Sequence, residues 1–373
     1  MTKISFVTAT ARNDYPYDGR PDLHIFEPTI ESLKAQTMLD FEWVIVDYLY
    51  EERKDYFKDK NLPFKVKHVP ASPNIWHNYN LPGACTQYNK GIIYADGELL
   101  YFTGEGYIFI PEFCEKLWNY HKQGYIPLVW YFLDNTFTPT NEIYNQSENF
   151  KKAYPNNSES TPIPYNICGY IGKNITIEHR PLIAFKNNKQ MYNATWEWYF
   201  GCSATSLEAA LKINGYDQRF DGDHTLLDCD FGSRLQLAGY NKFSLFKDLF
   251  TARFKAVGNW AFGTERPSIK CNYGLIFLSR NLNEFRANTR KITDEDIKWI
   301  KESFCANTCL NGKYCRENHL WQYPFEHKEG YPGHNSQKKW FDYWRTHQVM
   351  INLTEERQKR LSGDKKYEIG TFT

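Results

Sequence analysis

The sequence predicts an α/β fold, a mostly parallel sheet flanked by helices, and three observations predict it. Short apolar runs (ISFVT at 4–8, FEWVIVD at 41–47, ELLYF at 98–102) alternate with segments of helical periodicity, the pattern of a parallel sheet covered by helices. The first run opens into Ala9-Thr10-Ala11-Arg12-Asn13-Asp14 and not into G-x-G-x-x-G, which argues against a dinucleotide site. No apolar stretch reaches the roughly 18 residues of a membrane helix, so no membrane span is expected.

Composition narrows the function classes. A chain of 373 residues can bury a large core. Lys plus Arg number 45 against 44 acidic residues, so no global field draws the protein to nucleic acid or anionic membrane. Aromatic residues are 17%, which suits stacking on sugars and suits ordinary cores equally. Nine scattered cysteines, odd in number, fit reduced thiols. With MTKISF leading straight into a strand and no secretory leader read, a cytoplasmic protein is expected.

In chain order, Ile4–Thr8 is a buried strand, followed by a polar loop with Pro16, Gly19 and Pro21. A helix is expected around 29–36, then the strand 41–47 ending on Asp47. FKVKHV at 64–69 alternates and reads as a third strand, at the edge. Residues 85–95 are helical, with Tyr88, Ile92 and Ala95 on one side, and 98–102 is the fourth strand, read as running on through Gly104-Glu105-Gly106 to Ile108. A helix at 111–121 and a strand at 126–133 follow. Residues 134–161 turn Asn-, Ser- and Thr-rich and read as an insertion or a flap. Residues 165–189 have mixed β character. Trp196 and Trp198 could present indole faces to a sugar, although core packing explains them as well.

Gly201–Tyr240 organises the chain. After a short apolar strand, Ser206 is placed to cap a helix over 207–213, and Asn214-Gly215 stops it. A polar loop carries Asp217, Asp221, Asp223 and His224. A second helix opens on Asp228-Cys229-Asp230, with Leu227, Phe231, Leu235 and Ala238 at helical spacing and Gly239 at its end. Asp in a first turn is ordinarily a cap, but the free N–H groups and the dipole there also keep a carboxylate ionised, as a general base must be. Beyond it, 242–246 and 250–254 read as two closing strands.

NGYDQRF, then Asp228-x-Asp230 opening a helix, then Arg234-Leu235-x3-Gly239, resembles the acceptor-side motif of inverting GT-A glycosyltransferases of family 2 and the related galactosyltransferase C-terminal region. SLKAQTMLDFEWVIVD and YNKGIIYADGELLYF are similar to two further family-2 units. The resemblance covers residues 3–255 and implies a GT-A (Rossmann-like) domain over 1–260, with 261–373 as a helical, Cys-containing C-terminal extension. It implies Asp228 as catalytic base, with Asp230 orienting the helix mouth or the acceptor. It implies Thr8, Arg12, Asp47, Asn89, Lys90 and Glu105 on the donor side, and an acceptor site near Trp196, Trp198, Asp223 and His224. The expected partners are a nucleotide-sugar donor, with UDP as the expected nucleotide, and a saccharide or other hydroxyl acceptor.

This chain departs from the family at two points. The family's Glu before the base is Leu227, and its D-x-D pair, which binds Mg²⁺ or Mn²⁺, is Gly104-Glu105-Gly106. Glu105 alone would hold a metal weakly, and FTARFKAVGNW supplies no His to complete a site. Farther on, Cys271, Cys305, Cys309 and Cys315, with His319, have spacing open to a structural Zn²⁺ or to plain thiols. Helices are expected at 293–304 and 336–350, and a frayed charged tail after Ser362. Two rival classes stay open: a sugar- or nucleotide-binding relative without catalysis, and a glycosyltransferase acting on modified nucleic-acid bases. The even charge balance speaks against the latter.

Overall fold

The computed structural model describes residues 2–11, 24–72, 84–134, 137–139, 170–172, 175–177, 179–185, 188–199, 202–218, 227–254, 352–369 and 371–372. The N-terminal half alternates: β1 Ile4–Thr10, α1 Glu27–Lys34, β2 Phe41–Asp47, α2 Tyr50–Arg53, β3 Lys65–Pro70, α3 Ala84–Tyr94, β4 Leu99–Thr103, β5 Tyr107–Phe109, α4 Phe113–Lys122 and β6 Ile126–Asp134. Short pieces follow: β7 Phe137–Pro139, β8 Tyr170–Gly172, β9 Ile175–Ile177, α5 His179–Ala184, β10 Met191–Asn193 and a 3₁₀ turn Trp196–Trp198. Then come β11 Ala204–Ser206, α6 Leu207–Lys212, α7 Leu227–Leu237, β12 Phe243–Phe254, α8 Leu353–Leu361 and β13 Thr371–Phe372.

The main sheet runs β11-β4-β1-β2-β3-β13. Its four inner strands are parallel and its two edge strands antiparallel. All seven residues of β2 are buried, as expected of a strand covered on both faces. In register, Thr10 stands beside Asp47 and Asp47 beside Pro70, while Thr8 stands beside Thr103. The carboxyl ends of the parallel strands therefore form one rim, the usual place for a ligand in such a sheet. On one face, Phe6 meets Phe41, Tyr101 and Phe109 edge-on at 5.3, 5.4 and 5.1 Å. A second sheet, β10-β12-β6-β9 with β5 on β12, lies next in the chain, and the bridge between Leu128 and Ser203 ties it to the first.

Three expectations are corrected. The fourth strand stops at Thr103: Gly106, at φ +75°, turns the chain so that β5 pairs antiparallel with β12. The two closing strands are one, β12, with a register shift against β6 between Leu245 and Phe250. The tail after Ser362 is structured: Tyr367 is buried, with its ring edge-on to Tyr94, and β13 caps the edge of β3. Local charge hid a long-range pairing. The expected helices at 293–304 and 336–350 and the Cys271, Cys305, Cys309, Cys315 cluster lie outside the described residues, as does most of the expected 134–161 flap.

The returning segment is fastened at both ends. Asn352 caps α8 by accepting from the N–H groups of Thr354 and Glu355. Arg357 donates to the carbonyl of Ala95 and Arg360 to Asp96. Asp96 also receives Lys67, itself buried on Glu42 at 2.7 Å. Burial would raise the Asp96 carboxyl, but the bonds from Lys67 and Arg360 outweigh it and hold the group at about 2.

Two predictions follow from this clamp. Leu353 is fully buried at the start of α8, so Leu353→Ala should cost about 2–5 kcal/mol, read as a lower urea midpoint. The depressed Asp96 value makes its contribution complete above its ordinary 3.8 and lost as pH falls toward 2. The gap in urea midpoint between wild type and Asp96→Asn should therefore be open at neutral pH and close between pH 4 and pH 2.

Candidate active site

The strand rim supplies the first group of side chains. Thr8 is buried and its hydroxyl accepts from the Trp43 indole N–H at 2.8 Å. Asp47 is also fully buried. Its Oδ1 accepts from the Leu49 N–H at 2.8 Å, and its Oδ2 lies 3.0 Å from His68 Nε2 and 3.5 Å from Arg53. These contacts lock the strand end and the start of α2 into one piece. Arg12 lies outside the described residues.

Glu105 is half-buried on the turn between β4 and β5. At Gly104 a Cβ would meet only the Tyr107 ring, at 3.4 Å, so neither backbone nor packing demands glycine there. The strand end thus offers a divalent cation one carboxylate where a D-x-D pair offers two. Among the described residues, no three His, Cys, Asp or Glu side chains are grouped to hold a metal ion. These residues do not fit the Mg²⁺ or Mn²⁺ site of a D-x-D enzyme.

The second group is built around α7. Asp228 and Asp230 both lie in its first turn, where the helix has unpaired N–H groups. They have different surroundings. Asp228 is half-buried. Asp230 is fully buried and receives Arg234 Nε at 2.8 Å. The same guanidinium donates to the carbonyls of Ile213, at 3.0 Å, and Gly215, at 2.8 Å. Asp230 thereby joins α7 to the turn that ends α6.

That turn is held from two more sides. Asn89, on α3, brackets Tyr216: its Oδ1 accepts from the Tyr216 N–H at 2.7 Å and its Nδ2 donates to the Tyr216 carbonyl at 2.8 Å. Asn214 accepts from the Leu353 N–H at 2.8 Å. Lys90 sits near Lys366, with burial first and that second charge next lowering it to about 8. Of the residues expected on the donor side, Asp47 ends β2, Thr8 lies two residues before the end of β1 and beside Ile45 and not Asp47, Asn89 works on the Tyr216 backbone, and Lys90 faces the C-terminal segment.

Rings bring the two groups together. Phe102, one residue from the end of β4, meets Tyr216 at 5.1 Å and Phe231 at 5.5 Å. Tyr216 lies between Tyr88, at 5.1 Å, and Phe231, at 4.3 Å. Phe231 is one turn on from Asp228, so α7 begins at the carboxyl end of β4. The Trp196–Trp198 turn packs on the same helix. A Cβ at Gly232 would lie 2.6 Å from Tyr199 Cβ and 2.9 Å from the Trp196 carbonyl oxygen. Buried Arg180 braces the turn through the carbonyls of Trp198 and Val129, at 2.7 and 2.8 Å. Trp196 and Trp198 are both partly buried, and Trp198 leans on Tyr192 at 4.8 Å. Asp223 and His224 lie outside the described residues.

Sequence reading missed His68, Arg53, Arg180 and Tyr199. Nothing local marks any of them, since each acts through a contact distant in sequence or between elements.

Residues 23–182 match the model of glycosyl transferase family 2. No curated protein matches the chain. Among solved structures, the chain is similar to S. aureus TarS 1-349 in complex with UDP, at 11% identity and TM-score 0.44 over 97% of this chain and 92% of that one. The same fragment in complex with UDP-GlcNAc gives 13% identity and TM-score 0.46 over the same shares. S. aureus TarS gives 13% identity and TM-score 0.44, over 96% of this chain and 55% of that one.

The close approach at Gly232 is testable by itself. Gly232→Ala should lower stability by about 1–3 kcal/mol, because a helix and a backbone carbonyl must part to admit a methyl group. Thermal unfolding of the variant checks this; an unchanged midpoint would contradict the packing described.

Proposed function

We propose that this chain, a glycosyltransferase whose residues 23–182 carry the family 2 pattern, transfers a sugar from a UDP-sugar to a hydroxyl acceptor with inversion, using Asp228 as general base. One observation carries the reading. A half-buried carboxylate stands in the first turn of an 11-residue helix that rings fasten to the carboxyl end of β4. The helix N-terminus favours the ionised form, and an ionised carboxylate at a ligand rim is suited to take a proton.

In this mechanism Asp228 removes the proton of the acceptor hydroxyl. The acceptor oxygen attacks the anomeric carbon as the bond to the nucleoside diphosphate breaks on the opposite face, so the configuration inverts. The proton stays on Asp228, and the electron pair leaves with the diphosphate. Thr8, Asp47 and, by the resemblance alone, Arg12 are assigned to the donor side, where Asp47, buried on Leu49, His68 and Arg53, fixes the strand end on which the nucleotide would rest. Trp196 and Trp198 form the acceptor platform, and Asp223 and His224, which lie outside the described residues, are assigned to the acceptor side by the motif alone. Asp230 keeps the helix mouth in place through Arg234. No step passes through a metal ion.

A second reading, donor binding without transfer, is favoured by the single carboxylate of Gly104-Glu105-Gly106. Turnover with a panel of UDP- and GDP-sugars separates the two: binding with no product and no donor hydrolysis favours the second.

The test of the base is Asp228→Asn. It removes the proton acceptor while keeping shape, and should lower kcat by about 10²–10⁴-fold with the urea midpoint unchanged. Full activity in that variant would remove Asp228 from the mechanism.

A further inference from the structure

The turn that ends α6 is a junction of distant parts of the chain. Asn214 and Gly215 are consecutive left-handed residues, at φ +55° and +71°, a conformation uncommon for any side chain but glycine. The Asn214 amide oxygen accepts from the N–H of Leu353, 139 residues away, at 2.8 Å. A Cβ at Gly215 would overlap Asn89 Oδ1 of α3 and Leu353 Cδ1 of α8. From a third side, Arg234 of α7 holds the Ile213 and Gly215 carbonyls at 3.0 and 2.8 Å.

The C-terminal segment reaches this turn as a strap. Asn352 serves the N–H groups of Thr354 and Glu355, while the Leu353 N–H crosses to Asn214. Beyond Leu353, α8 lies along α3, with Arg357 on the carbonyl of Ala95 and Arg360 on Asp96. Tyr367 on Tyr94 and β13 on β3 fasten the far end to the main sheet. A strap that served stability alone could bury its apolar residues anywhere on the sheet. Here the first N–H of α8 and its first apolar side chain are both spent on the turn that Arg234 grips.

We propose that the segment from Asn352 to Phe372 positions the base, and that Asn214 is the positioning residue through which it acts: docking of α8 on the Asn214-Gly215 turn sets where the first turn of α7 stands against the strand rim. This rests on the reading of Asp228 as base. The coupling is direct, because one guanidinium holds both carbonyls of the turn and Asp230 of the α7 first turn. With Leu353 withdrawn, the space over Gly215 opens and the turn can shift while still serving Arg234, carrying α7 with it. A displacement of about 1 Å at a reacting group costs up to about 10²-fold in rate, so the effect belongs in kcat. The ends of β1 and β2 have fastenings of their own, Thr8 with Trp43 and Asp47 with Leu49 and His68, so donor binding is insulated from the strap.

The test uses the full chain and measures kcat, donor KM, urea midpoint and amide hydrogen exchange over 227–237 for wild type, Asn214→Gly, Asn214→Asp and Asp228→Asn. Glycine keeps the left-handed backbone and removes the acceptor. Aspartate keeps an acceptor, and the N-terminus of α8 favours its charge. Asn214→Gly should lower kcat about tenfold or more, with donor KM unchanged and faster exchange in α7. Asn214→Asp should recover most of the wild-type kcat. A lowered urea midpoint with wild-type kcat and exchange would make the strap a stabiliser only and overturn the proposal, as would an Asn214→Asp protein as slow as Asn214→Gly. Should Asn214→Gly not fold, Arg360→Gln loosens the strap away from the turn and from α7. The same fall in kcat is expected there, and wild-type kcat and exchange in that folded variant would overturn the proposal. Full activity in Asp228→Asn removes the base reading and this proposal with it; an inactive Asp228→Asn beside a fully active Asn214→Gly removes this proposal alone.

Discussion

The arrangement depends on one buried guanidinium. Arg234 and Asp230 are almost fully excluded from solvent and lie four residues apart on α7. On a helix surface such a pair would contribute only about 0.3–0.5 kcal/mol. Here the same guanidinium also reaches the carbonyls of Ile213 and Gly215. A lysine could not do this, because it lacks the planar fork that serves three acceptors from a fixed position. The pair works by register: with Asp230 and both carbonyls satisfied together, α7 has one angle relative to the turn before it. Opening it would leave a charge buried without its partner, at a cost of about 3–5 kcal/mol. The two acids of the first turn thus differ. Asp230 is spent on holding the helix, whereas Asp228 is half-buried.

Aromatic packing then sets the helix on the sheet. Phe231 contacts Phe102 from the strand rim, Tyr216 from the turn and Tyr199 from the Trp segment. These contacts are not directional in the way hydrogen bonds are, yet ring shape leaves few alternatives in a closely packed interior. Gly232 is what lets the Trp segment join this cluster, since the segment's backbone occupies the space of the missing side chain. Asp228 and both tryptophans therefore share one support.

Legibility in the sequence followed the range of the interactions. Strands β1, β2, β3 and β4 were readable because buried parallel strands are short apolar runs, and α3 came within one residue of its expected bounds. The Lys247-Asp248 pair made β12 look like two strands. In the structure Lys247 bonds to Asn188 at 2.8 Å and Asp248 accepts from Tyr120 at 2.8 Å, so the polar residues are accommodated at a bulge. The charged tail looked frayed because only its distant partners, Asp96, Tyr94 and β3, give it structure. In the site, Asp228 and Asp230 could be found from the motif around them, but their different surroundings could not, since these depend on Arg234 and on burial. Asn89 stood out by its place in a motif, and its actual partner, the Tyr216 backbone, lies 127 residues away.

That last contact joins two halves of the chain that have different standing. The family match runs from residue 23 to residue 182 and includes β2, β3, β4 and α3. Asp228 lies beyond it. If the two halves were loosely related in space, likeness in the first would say little about chemistry in the second. They are not: Asn89 on α3 holds Tyr216 by both backbone groups, and Phe102 of β4 meets both Tyr216 and Phe231. The C-terminal segment adds a third tie, with the Leu353 N–H on Asn214 and Arg357 on the end of α3. Besides its packing on the Trp196–Trp198 turn, α7 is thus tied through Tyr216 and Phe102 to the sheet that carries the family pattern and, through Asn214, to the segment clamped upon it. That continuity of packing supports reading the strand rim and the start of α7 as parts of one site.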